Sequence, residues 1–196
     1  MNKPSNYESI KTQGEFIPLP AGGYVCKVMQ VLETKSKSGL EMLQISLDIA
    51  EGEFKNYFTD AYKNDTRDQK KWGCIAYLVV DENTDYGTKN LKGFVTSVEN
   101  SNTGFNVVWG DNFAKCFKGK LVGAIFGREQ YESNTGIHWS TKFKWFRGTD
   151  TIKSGNFQIP EDKYLPDGVT SRPTPNQVND GFMNIPDGID EELPFM

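Results

Sequence analysis

Several positively charged side chains of this sequence recur beside flat rings. Lys35 and Lys37 lie in one basic turn, Thr34-Lys35-Ser36-Lys37-Ser38-Gly39. Lys55 and Tyr57 are two residues apart, Arg128 and Tyr131 flank a turn, and Lys142, Lys144 and Phe146 alternate along one stretch. Cations that track a phosphate backbone, with rings on which bases stack, are what a sequence-tolerant single-strand binder needs. The bland alternative, a solvated charged face over an aromatic core, weighs equally for any one of these residues. Trp139, Phe143 and Trp145 are expected in the core.

Catalytic chemistry finds less support. The chain contains no phosphate-cradling GxxxxGK[ST] and no GxSxG. Its three cysteines, Cys26, Cys74 and Cys116, are far apart, and its single histidine, His138, has no ligand-like neighbour. Neither a disulfide framework nor a zinc site is expected, and no cofactor. Each cysteine sits among apolar residues and reads as a small buried hydrophobe. A two-metal nuclease would need clustered carboxylates. Asp48, Glu51, Asp60 and Asp65 are the nearest approach to that, and a poor one.

The elements that must position these groups read mainly as β. Residues 1–20 form an extended lead-in. Tyr24 to Leu32 is a β-rich strand, and Leu43, Ile45, Leu47 and Ile49 alternate with Gln44, Ser46 and Asp48, the period of a half-buried strand. Phe54 to Thr59 reads as a short third strand, with Lys55 and Tyr57 on one face. Two helices are expected next. One has Thr66 and Gln69 at capping-box spacing with Trp72, Ile75, Ala76 and Val79 as its stripe; Asn90 caps the other, which carries Leu91, Phe94, Val95 and Val98. Lys120 to Arg128, a loop at Glu132–Gly136, and Ile137 to Arg147 then form a hairpin. On its second strand Trp139, Thr141, Phe143 and Trp145 face one way, and Ser140, Lys142, Lys144 and Phe146 the other. Three strands, a helical insert and a hairpin give the order of a five-stranded OB-fold-like barrel, over residues 21–149.

Charge divides the chain. Residues 1–149 carry 19 Lys and Arg against 17 Asp and Glu, whereas residues 150–196 carry 3 against 9, within a net charge of −4. A mildly basic body with an acidic tail suits a nucleic-acid partner. Residues 150–186 read as a polar Pro/Gly-rich linker, with Ile152 to Pro160 still free to lie along the body. Its composition, and that of the tip at 187–196, cannot offset ordering entropy, so a disordered acidic tail is expected. No apolar run approaches membrane-spanning length and no secretory signal opens the sequence, so the cytoplasm is the expected compartment.

The tip, Asp190-Glu191-Glu192-Leu193-Pro194-Phe195, resembles the acidic end of bacterial single-stranded-DNA-binding proteins, with Met196 as an added residue. That resemblance implies a Pro-Phe anchor for replication or recombination proteins, with the acidic run meeting basic residues on them. Gly23-Tyr24, Leu91 to Phe105, Leu121-Val122-Gly123 and Gly155 to Pro160 are similar to a family of phage and prophage proteins found among replication and recombination genes. These readings converge on a non-catalytic binder of single-stranded DNA in phage-type replication or recombination, acting in the bacterial cytoplasm. The competing expectation is an OB-like adaptor that binds protein. Self-association and a preference for DNA over RNA stay open.

Overall fold

Alternating apolar residues place one face of the central strands inward, and the sheet curls around them. The computed structural model describes residues 17–81 and 84–166. Within them lie β1 (Gly22–Lys35), β2 (Glu41–Ile49), α1 (Tyr57–Asn64), β3 (Ile75–Val80), α2 (Asp85–Ser101), α3 (Phe113–Cys116), β4 (Leu121–Ser133), β5 (Gly136–Arg147) and α4 (Thr149–Lys153). The strands form one antiparallel sheet in the order β3-β2-β1-β4-β5. It is rolled into a nearly closed barrel, the strand order expected of an OB-like architecture. β3 and β5 are its two edges, and α2 packs against both.

Val28, Leu47, Ile45, Val122 and Ala124 are buried in the interior, together with Phe94 of α2. The Phe94 ring lies 4.8 Å from both Phe117 and Phe146, so the helix is fastened to the barrel by aromatic contact. Its stripe is the expected one: Phe94, Val95 and Val98 are buried and Leu91 partly so. The helix starts earlier than expected, because the Thr84 side chain, not Asn90, caps it by accepting from Gly87 N–H.

Two expectations are overturned. Phe54 to Thr59 is not a strand but a turn that leads into α1, where Asp48 accepts from Phe58 N–H (3.0 Å) and from Thr59 Oγ1 (2.5 Å). That carboxylate fixes the first turn of a helix, so Asp48 is buried rather than solvated, and Gln44 and Ser46 are buried beside it. The supposed helix through Trp72 and Val79 is instead an irregular approach followed by β3, paired with β2 from Ser46↔Ile75 to Glu41↔Val80. Trp72 is nevertheless core, donating from Nε1 to Leu47 O at 2.9 Å. The open edge of β2 offers Ile75–Val80 ladder bonds that an isolated helix could not match.

The start of the linker does lie along the body, and the contact runs on past Pro160 to Lys163. Residues 149–165 lie against the barrel, and three glycines make room for them. A Cβ on Gly23 would stand 2.6 Å from the Phe157 ring, one on Gly123 2.6 Å from Ile152, and one on Gly127 2.7 Å from Pro160. The rest of the expected linker, beyond 166, and the whole tip at 187–196 lie outside the described residues.

Candidate nucleic-acid interface

The structure disperses the cations singled out in the sequence. Lys35 ends β1 and pairs with Glu41 across the strand at 3.6 Å, both well exposed, and Lys37 is exposed in the turn beyond. Lys55 is exposed in the turn before α1. Tyr57 does not share a strand face with it: its hydroxyl donates to Ile17 O (3.1 Å) and accepts from Leu19 N–H (3.2 Å), which ties down residues 17–19 before β1.

On the β4–β5 hairpin the result is mixed. Phe146 is a core residue, 6% exposed, which overturns its assignment to a binding face. The cause is a bulge: Ile125 pairs with Trp145 but Phe126 with Phe143, leaving Lys144 as the extra residue. The insertion breaks the alternation, and Phe143 and Phe146 come to lie 4.5 Å apart. Lys144 is bound to Glu129, and this hydrogen bond holds the Glu129 carboxyl below the usual glutamate range. Arg128 pairs with Asp162 at 3.2 Å and lies 4.4 Å from the Trp139 ring centroid. Trp139, expected in the core, is in fact 37% exposed. Lys142 and Tyr131 are exposed, the Tyr131 ring lying 5.7 Å from that of His138.

A better candidate lies where the barrel fails to close. Between the edges of β3 and β5, over α2, runs a cleft of about 440 Å³. β3 contributes Tyr77, α2 contributes Tyr86, Lys89, Asn90 and Gly93, and β5 contributes Lys144, Trp145 and Arg147. Three of its lining residues are cations, four are exposed or half-buried rings (Tyr77, Tyr86, Phe143 and Trp145), and none is a carboxylate. Tyr77 is 49% and Tyr86 76% exposed. Phe94, Phe143 and Phe146 form an apolar floor. The Arg147 guanidinium lies 5.8 Å from the Trp145 ring and donates to Phe146 O at 2.9 Å, which aims it along the cleft wall. Lys89 pairs with Asp85 at 3.4 Å, but both are so exposed that water and salt weaken the bond.

Sequence reasoning reached only Lys144 and Phe146 of the residues that line the cleft. Tyr77 was recoverable once Ile75–Val80 was read as a strand, because buried Ala76 and Leu78 alternate with the outward Ile75, Tyr77 and Val79. Tyr86 carries no signal of its own; its place at the start of α2 brings it to the seam.

The carboxylates weighed for metal chemistry are dispersed. Asp48 is spent on α1, Glu51 pairs with Lys153 (3.2 Å), and Asp65 grips Arg67 through several hydrogen bonds that pull its carboxyl down to about 2. Among the described residues no three His, Cys, Asp or Glu side chains are grouped to hold a metal ion. Likewise no described helix is long and apolar enough to cross a membrane. No family model and no curated protein matches the chain.

Proposed function

We propose that this protein binds single-stranded DNA without catalysis and with little sequence preference, the strand running along the open seam of the barrel. The observation that carries the reading is the lining of that seam: Tyr77, Tyr86 and Trp145 supply rings and Lys89 and Arg147 supply positive charge, beside Lys144, whose charge Glu129 already meets, and no acidic side chain lines the seam. Stacking on the rings serves every base, because every base has a π-face, and the cations neutralise phosphates. The apolar floor supports the rings from beneath. The resemblances of the sequence extend the proposal to phage-type DNA replication or recombination in a bacterial cytoplasm, with Asp190 to Phe195 recruiting partner proteins.

Titration with oligo-dT at two salt concentrations, read by tryptophan fluorescence, tests it directly. Binding should quench the fluorescence and weaken with salt, at a log–log slope of about −0.7 per neutralised phosphate. An unresponsive spectrum at low salt would sink the reading.

A second reading, an adaptor that binds protein, is favoured by a different observation. Val108 and Trp109 are 50% and 62% exposed on the loop before α3, an apolar tip of the kind partner proteins bury. A complex made through that tip would survive salt that strips off DNA.

A further inference from the structure

We infer that residues 161–165 form a displaceable strap over a second nucleotide-binding position, built from Arg128 and Trp139 and filled in this structure by the chain's own Asp162 and Tyr164. The inference rests on the single-strand reading above and adds to it a competitor carried within the folded body.

The two halves of the segment after β5 are held differently. As far as Pro160 it is seated in the barrel, with Ile152, Phe157 and Pro160 filling the spaces left by Gly123, Gly23 and Gly127. Beyond Pro160 the contacts are of another kind. β1 leaves β4 at the Gly22↔Phe126 pair, so the continuation of β4 has an unpaired edge there. Lys163 occupies it with two backbone hydrogen bonds, N–H to Arg128 O (3.0 Å) and O from Gln130 N–H (2.8 Å). Leu165 N–H adds a bond to the Gln130 side chain at 3.2 Å. Tyr164 remains 66% exposed, so the strap covers without being buried.

What it covers has the chemistry of a nucleotide site. The Arg128 guanidinium lies over the Trp139 ring, and the Asp162 carboxylate meets that guanidinium at 3.2 Å, where a phosphate would sit. Tyr164 stands edge-to-face on the same tryptophan, ring centroids 5.2 Å apart, where a base would stack. A half-buried carboxylate and an exposed phenol ring, both on the protein's rim, are weak competitors for a polyanion that brings both groups on one backbone. The strap would therefore yield at high occupancy and exclude DNA from the hairpin at low occupancy.

The test uses the full chain and fluorescently labelled oligo-dT, comparing the wild type with D162N/Y164A and with R128A/D162N/Y164A. The double variant should bind about three- to tenfold more tightly at low salt, and adding Arg128→Ala should erase that gain. Hydrogen exchange at the Gln130 and Lys163 amides should accelerate when oligo-dT is added to the wild type. Wild-type binding that the double variant leaves unchanged or weakens, or amides that become better protected, overturns the strap alone. Absence of binding by both the wild type and the double variant overturns the strap and the single-strand reading together.

Discussion

The carboxamide of Asn102 completes a reciprocal pair with the backbone of Leu121, donating from Nδ2 to its carbonyl (2.8 Å) and accepting its N–H at Oδ1 (3.0 Å). The same Nδ2 reaches back to Val98 O at 2.7 Å. One side chain thus joins the end of α2, the helix beneath the seam, to the first residue of β4. Replacing it with alanine strands partly buried donors and acceptors on both elements. Asn102→Ala should lower unfolding free energy by about 1–3 kcal/mol, measured by urea denaturation.

The seam itself makes a sharper claim. Tyr77→Ala removes one stacking ring from a half-exposed strand position and should cost roughly 1–3 kcal/mol of oligo-dT affinity. Arg147→Ala should reduce the salt dependence by about 0.7 in log–log slope. Unaltered affinity in both variants would move the interface elsewhere.

Gly123 is boxed in by backbone. A Cβ there would lie 2.8 Å from both the Arg147 and Gly148 carbonyl oxygens and 2.6 Å from Ile152. Carbonyls fixed at the end of β5 and at the start of α4 cannot swing away as a side-chain tip can. Gly123→Ala is expected to destabilise the fold by about 1–3 kcal/mol, and circular dichroism melts would report it.

The thiols should differ in reactivity. Burial pushes Cys26 well above the ordinary thiol value and Cys74 up to about 12, so neither ionises at neutral pH. Cys116 is only half-buried. Maleimide should therefore label Cys116 first in the native protein, and all three cysteines after denaturation, as read by peptide mass spectrometry.

Acid should loosen the hairpin. The Glu129 carboxyl is held below its ordinary value of 4.5, chiefly by the hydrogen bond from Lys144. A depressed carboxyl contributes stability that is complete above the ordinary value and is lost as pH falls through the lower, folded one. The stability difference between wild type and Glu129→Gln should accordingly shrink as pH drops below 4.5. A difference independent of pH in that window would mean that the pair contributes nothing.

Local pattern alone determined much of this molecule. β1, β2, the β4–β5 hairpin and the α2 stripe were legible because their apolar residues recur with a period of two or of 3.6, even where, as in β2, both faces are buried. The five-stranded OB-like barrel followed from them, although its third strand was expected at Phe54–Thr59 and lies at Ile75–Val80. The glycines at 23 and 123 also stood out, although their purpose, to admit Phe157 and Ile152, did not.

Tertiary structure decided the rest. Ile75–Val80 is a short apolar run that satisfies both periods, and only the open edge of β2 makes it a strand. Phe54–Thr59 lost its strand because Asp48, at the end of β2, binds the start of a helix there. Phe146 turned inward because one extra residue, Lys144, was inserted into β5, a displacement that alternation cannot foresee. The seam has the same origin: Tyr77, Tyr86 and Trp145 lie on three separate elements, and sequence distance carries no trace of the fold that brings them to one cleft.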